Sequence, residues 1–220
     1  MPDIDASRLA HAIRLLSQGQ RGGYSARLFD ENARILAALR AMPNMQVMRP
    51  ADAVDADECW EISLEHRSGP TSLVFARQEL PLVRHEHRAE NLSHRGAYVL
   101  SEAECGPRRV TLLATGSEVA IAVKARRTLE AEGIGTAVVS MPCWDMFNAQ
   151  DTAYRDAVLG PRDVRVGVET AVRFGWDQYI GIDGGFGGMS GFGASGPADA
   201  LYRHFGITPA AVVAAARQRL

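Results

Sequence analysis

The stretch from Val110 to Pro142 constrains this chain more than any other part of it. Val110-Thr-Leu-Leu-Ala114 is a short apolar run, Thr115-Gly-Ser117 breaks it, Glu118 to Glu132 carries apolar residues at helical spacing up to Gly133, and Thr136-Ala-Val-Val-Ser-Met-Pro142 is apolar again. Two short apolar runs joined by a helix-period segment share a sheet most simply as parallel neighbours, with the helix crossing one face. The chain is therefore read as α/β, with a sheet layered between helices.

The same reading extends outward in both directions. Downstream, it predicts a helix over Ala149 to Val158, a strand over Val164 to Glu169, a Trp176 to Ile182 segment and a glycine-rich loop. Helices follow over Ala198 to Phe205 and Pro209 to Arg219, the second opened by the cap Thr208. Upstream, it predicts a helix over Ala6 to Gln18, a polar joint ending at Gly23 and a helix from Asn32 to Ala41. A small βαβ unit then comprises Met45 to Met48, Ala53 to His66 and Ser72 to Arg77. Pro81 to Ser101, rich in His, Arg and Glu, reads as a linker.

At 220 residues and 46% hydrophobic content the chain can bury a sizeable core. A formal charge of -2 with mixed signs gives no basic field for nucleic acid, and no stretch is long and apolar enough for a membrane span. Asp3 and Asp5 argue against a secretory leader, and Cys59, Cys105 and Cys143 are scattered without metal-ligand spacing. Reduced thiols in a cytoplasm are the expectation.

Several motifs are more specific than the frame that holds them. Leu-Leu-Ala-Thr-Gly-Ser-Glu-Val (112–119), Val-Val-Ser-Met-Pro (138–142), Phe147 to Tyr154 and Gly-Phe-Gly-Ala-Ser-Gly-Pro (191–197) together resemble the C-terminal domain of transketolases. Arg40-Ala-Met-Pro-Asn44, Arg49-Pro-Ala-Asp-Ala53, Cys59-Trp60 and Gly69-Pro-Thr-Ser-Leu-Val-Phe-Ala-Arg-Gln78 resemble the end of that family's pyrimidine-binding domain. The resemblance covers about residues 32–220, and Ala6 to Ser17 also resembles the family's opening helix. It implies four parts: an N-terminal helix and flexible joint (1–30), a pyrimidine-domain remnant (31–80), a linker (81–105) and a transketolase-like C-terminal domain of three layers on a parallel or mixed sheet (106–220).

By the same resemblance, the complete family uses thiamine diphosphate and a divalent metal such as Mg, fixed through oxygen ligands by a Gly-Asp-Gly motif and a later Asn. This sequence has no Gly-Asp-Gly; Asp183-Gly184-Gly185 is the nearest approach. The family's activating glutamate and stacking aromatic belong to an earlier part of the pyrimidine domain than this chain carries. Asp30-Glu31-Asn32 stands where a His-Gln-Pro motif normally begins the helix. No catalytic residue, cofactor ligand or metal ligand is therefore assigned, and no cofactor is expected for the isolated chain.

One binding residue is assigned. Arg77 sits at the C-terminal end of a predicted parallel strand, where α/β sheets present ligand-binding groups. The resemblance implies contact with the phosphate of a sugar phosphate, which a planar guanidinium can hold through two parallel hydrogen bonds. The alternative is a surface arginine paired with Glu79 or another carboxylate. The loop Asp183 to Gly193 can wrap an anion or, on the reading preferred here, be anchored by Phe186, Met189 and Phe192. Ser117 reads as an N-cap. His85, His87 and His94 read as part of a solvated linker, and His11, His66 and His204 have no nucleophile partner in sequence reach.

Two functions follow as expectations, with a small-molecule sensor using the C-terminal cleft as a weaker third. One is a fragment or subunit of an enzyme for two-carbon ketol transfer between sugar phosphates, incompetent alone. The other is a non-catalytic binding, regulatory or dimerisation module, or truncated product, that keeps the C-terminal fold. A homodimer or a complementary chain is the expected partner, because the remnant strands should expose apolar faces and an open edge. Leu9, Ile13, Leu16, Ile35 and Leu36 are expected to cover them, and residues 106–220 are expected to fold alone.

Overall fold

The computed structural model describes residues 25–220 apart from positions 87, 162 and 195, with side chains of the first helix from Ala33 onward. The predicted helix over Ala6 to Gln18, with Leu9, Ile13 and Leu16, lies outside the described residues. The main sheet has five strands: β3 (Tyr98–Ser101), β4 (Val110–Ala114), β5 (Thr136–Ser140), β6 (Val164–Val172) and β7 (Gly185–Met189), in the order β3-β5-β4-β6-β7. β4 to β7 run parallel and β3 pairs antiparallel with β5.

Alternation along the strands divides the core into two layers. Val110, Leu112 and Ala114 face one side, where Val138, Val164, Val166 and Val168 join them. α3 (Val119–Ala131) covers that side with Ile121, Ala122, Ala125 and Leu129, and α8 (Pro209–Arg217) with Val212, Val213 and Ala216. Thr208 caps α8 by accepting from the Ala211 N–H. Leu113 and Val139 face the other side. They meet α4 (Trp144–Asn148), α5 (Thr152–Leu159) and α6 (Asp177–Ile180) through Trp144, Phe147, Val158 and Tyr179. Trp144 stands edge-on to both Trp176 and Tyr179 at 5.0 Å between ring centroids. The three-layer mixed sheet is as the motifs implied.

Two of its strands were not legible. β7 uses Gly185, Gly187 and Gly188, so its composition reads as loop. Glycine is required because a side chain on Gly185 would meet Val166 and one on Gly188 would meet the Phe186 ring. β3 lies inside the stretch read as a linker, and α4 and the short α7 (Ala198–His204) complete the helices. The rest of that stretch is docked. The Asp52 carboxylate accepts from the Val83 and Arg84 N–H groups, and Glu58 accepts from Arg84 and from the Ser93 N–H and hydroxyl.

The N-terminal unit is α1 (Ser25–Arg40), β1 (Gln46–Met48), α2 (Ala53–Glu65) and β2 (Thr71–Leu73), with β1 and β2 parallel. Its strands do not present bare apolar faces. α1 covers one face in the same chain, with Leu36 buried against Val47 and Ala171 and Ile35 half-buried, and α2 covers the other with Cys59 and Ile62 against Met48 and Cys143. β1 butts against the exit of β5, since the Arg49 N–H donates to the Pro142 carbonyl and Met48 bridges Cys143. Among the described residues β2 pairs only with β1 and forms the open edge.

Candidate functional site

The chain leaves β4 toward β5 on one side and returns to β6 on the other, so the crevice beyond the carboxyl ends of β4 and β6 is the topological switch point of the sheet. Open α/β sheets bind ligands at such a crevice. Here it is filled by side chains from both units. β4 delivers Thr115 and, through a turn of 3₁₀ helix (Gly116–Glu118), Glu118; β6 delivers Glu169. The N-terminal unit delivers Arg40 from the end of α1 and Arg49 from just beyond β1.

Every charge in the crevice has a partner. The Arg40 guanidinium grips Glu169 with two hydrogen bonds of 2.8 Å each and lies 3.7 Å from the Trp144 ring centre. Arg49 Nη1 donates to Glu118 at 2.9 Å, to Glu169 at 3.2 Å and to the Thr115 hydroxyl at 2.7 Å. Trp176 Nε1 and the Thr115 hydroxyl also donate to Glu169, and the Thr170 N–H donates to Glu118. Glu118 and Glu169 are completely buried. Burial by itself raises the Glu169 pKa, but Arg40, Arg49 and Thr115 outweigh it and hold the carboxyl down to about 2. Burial likewise opposes the Arg49 charge, and Glu118 and Glu169 raise its pKa nonetheless.

Gly116 makes this approach possible. Its φ of 54° lies in the left-handed region, and a Cβ there would sit 3.0 Å from Arg49 Cζ. Ser117 is not the N-cap that the sequence suggested, for its hydroxyl donates to Glu118. Two arginines against two glutamates leave no net charge for an anion, so the crevice docks one unit onto the other. The individual residues stood inside recognisable motifs, but no sequence signal pairs Arg40 with Glu169 across 129 positions.

Arg77 occupies the opposite kind of environment. β2 ends at Leu73, four positions earlier than the predicted strand, and Arg77 is exposed in the loop beyond its carboxyl end. No described carboxylate forms an ion pair with it, Glu79 included.

The other candidates fall away on geometry. In the turn Gly181–Gly184 the carbonyls of Gly181, Ile182 and Gly184 accept from Arg173 and that of Asp183 accepts from Arg219, so the turn receives cations and is no anion nest. Phe186 packs 5.7 Å from Trp176 and Met189 is buried, but Phe192 is exposed beneath Arg34 and anchors nothing in the core. His85 and His94 are exposed, and His87 lies outside the described residues. Among the described residues no three His, Cys, Asp or Glu side chains converge as metal ligands. Asp183 is exposed and Gly185 is a strand residue, so Asp183-Gly184-Gly185 runs from a turn into the start of β7.

The fold is a three-layer α/β domain with a filled switch point, docked to a βαβ unit followed by an arginine that has no ion pair among the described residues. Family models match it in two places: residues 96–208 to the transketolase-like C-terminal domain, and residues 30–83 to the transketolase pyrimidine-binding domain. The chain belongs to the transketolase family. It is 56% identical over 185 residues to the transketolase of Cereibacter sphaeroides, covering 84% of this chain and 28% of that protein. Against the transketolase of Sinorhizobium medicae it is 56% identical over 186 residues, covering 84% and 26%.

Solved structures agree. The transketolase of Leishmania mexicana superposes with a TM-score of 0.76 at 39% identity, covering 85% of this chain and 27% of that one. The Pichia stipitis transketolase complex with sedoheptulose 7-phosphate gives 0.75 at 33%, covering 84% and 26%. A chain described as a split-gene transketolase, inactive β4 tetramer, gives 0.69 at 26% identity, covering 86% of this chain and 61% of that one. The chain thus spans little more than a quarter of the curated relatives it matches.

Proposed function

We propose that this chain is a subunit or segment of a cytoplasmic transketolase, which takes part in two-carbon ketol transfer between sugar phosphates when other polypeptide supplies the cofactor site. The observation that carries the reading is the exposed Arg77 beyond β2, held by no described carboxylate. It donates two parallel hydrogen bonds to the substrate phosphate and so binds and orients the sugar. The sugar phosphate named for the Pichia stipitis complex is of the class such a group recognises. Thiamine diphosphate with its metal supplies the carbanion chemistry in the assembled enzyme, and none of this chain's described residues is assigned to hold it. Association is with a complementary chain or, failing that, with a second copy.

Reconstitution tests this reading. The portion of the Cereibacter sphaeroides transketolase that this chain does not match is expressed alone and mixed with the chain, thiamine diphosphate and Mg²⁺. Ketol transfer is expected from the mixture and from neither part alone, with KM for the phosphorylated substrate raised in Arg77→Gln. Activity that is absent from the mixture, or unaffected by Arg77→Gln, counts against it. A second reading, a non-catalytic self-assembling module, is favoured by the split-gene relative described as an inactive tetramer. A stable homo-oligomer that excludes the complementary portion would support that second reading.

A further inference from the structure

The loop that carries Arg77 is tied at both ends and sparsely hydrogen-bonded between. At its start Phe75 stacks on Trp60 of α2, with ring centroids 6.4 Å apart. At its end the Val83 and Arg84 N–H groups donate to Asp52. Across residues 76–82 the only hydrogen bond to another described residue is from Gln78 Nε2 to the Tyr202 hydroxyl, at 3.4 Å. Arg77, Glu79, Pro81 and Leu82 are exposed while Ala76, Gln78 and Leu80 are half-buried, so packing holds the loop in part and that bond supplies its one polar tie to another described residue.

Tyr202 is a firm anchor. It lies on α7, its ring packs against the core layer of α3 and α8, and its hydroxyl donates to Glu118 at 2.7 Å. The Ser117 hydroxyl donates to the same carboxylate oxygen, while the other oxygen accepts from Arg49 and from the Thr170 N–H. A hydroxyl that donates to an ionised carboxylate becomes a better acceptor, which favours the bond from Gln78. The loop is thereby tied to the ionic crevice through one phenol.

We propose that Tyr202 is a positioning residue, which acts through Gln78 to hold the loop so that Arg77 is presented to an incoming phosphate. The proposal rests on the reading of Arg77 as the phosphate contact and adds that the C-terminal domain sets the geometry of that contact. Tyr202→Phe keeps the ring and removes only the hydroxyl. Glu118 retains Ser117, Arg49 and Thr170 as donors, so the fold should survive.

Backbone ¹⁵N order parameters of Arg77, Gln78 and Glu79 report the positioning directly. They are expected to fall toward about 0.6 or below in Tyr202→Phe and in Gln78→Leu, with β2 unchanged. The double variant should fall no further than either single one, because the two residues act as a unit. Titration of the intact chain with inorganic phosphate, followed at the backbone N–H groups of residues 77–79, should weaken about fivefold in each variant, the effect of one lost hydrogen bond. Order parameters that stay at the wild-type level in both single variants overturn the positioning role. If they fall but phosphate still binds Arg77→Gln as it binds the parent, the positioning stands and the phosphate reading fails.

Discussion

Arg49 and Arg77 both follow the carboxyl end of a strand in the same two-stranded sheet, yet the chain uses them in opposite ways. Arg49 is buried in a crevice, bonded to Thr115, Glu118 and Glu169, and its charge is spent on fixing one unit to the other. Arg77 is exposed and faces no described carboxylate. Strand-end position alone therefore does not mark a ligand site. What separates the two is that Arg49 meets carboxylates of its own chain and Arg77 meets none among the described residues.

The largest effect should come from removing one side of the crevice altogether. A fragment of residues 106–220 loses β3, Arg40 and Arg49, and leaves Glu118 and Glu169 without cations. In place of the independent folding that the sequence pattern suggested, heating this fragment should give a broad transition by circular dichroism. A cooperative transition at the intact chain's midpoint would show the docking to be energetically idle.

Single substitutions sharpen the contrast. Arg49→Met should lower the free energy of urea unfolding by about 3–5 kcal/mol, since it leaves the buried Glu118 without a cation and Glu169 with Arg40 alone, with partial recovery on adding Glu118→Gln. Arg77→Met, at an exposed site, should stay within about 0.5 kcal/mol of the parent in the same experiment. Equal losses for the two would erase the distinction between the buried and the exposed arginine.

Acid should act on the crevice as well. The folded Glu169 pKa, about 2, lies below its ordinary value of 4.5, so the stabilisation is complete above the ordinary value and drains away as pH falls through that window. Stability measured from pH 5 to pH 2 should fall less steeply in Glu169→Gln than in the parent, and parallel curves would refute the assignment. Gly116→Ala tests the backbone side of the same contact. A left-handed φ and the crowding of Arg49 should together cost about 1–2 kcal/mol, read from the same unfolding curves.

Most of the helices and the parallel core strands were legible because their signals are local. Val110 to Ala114 alternates between two buried faces, Glu118 to Glu132 repeats at helical spacing, and Thr208-Pro209 announces a capped helix start. β7 escaped because its glycines are selected by what packs on them, Val166 and Phe186 among others, and that selection leaves no strand-like composition. β3 escaped because an edge strand of Tyr98 to Ser101, half-buried over most of its length, carries too short a pattern to stand out from its polar surroundings.

Of the site, the sequence by itself put Arg77 at the end of an expected strand, which in the structure stops at Leu73, and showed that this chain has no Gly-Asp-Gly motif. Only the tertiary structure decided that Arg77 stays exposed while Arg40 and Arg49 are consumed by Glu118 and Glu169. The physical reason is that a buried ion pair is specified by where folding brings two distant side chains, and by the loss of water around them, neither of which is written in the spacing of residues along the chain.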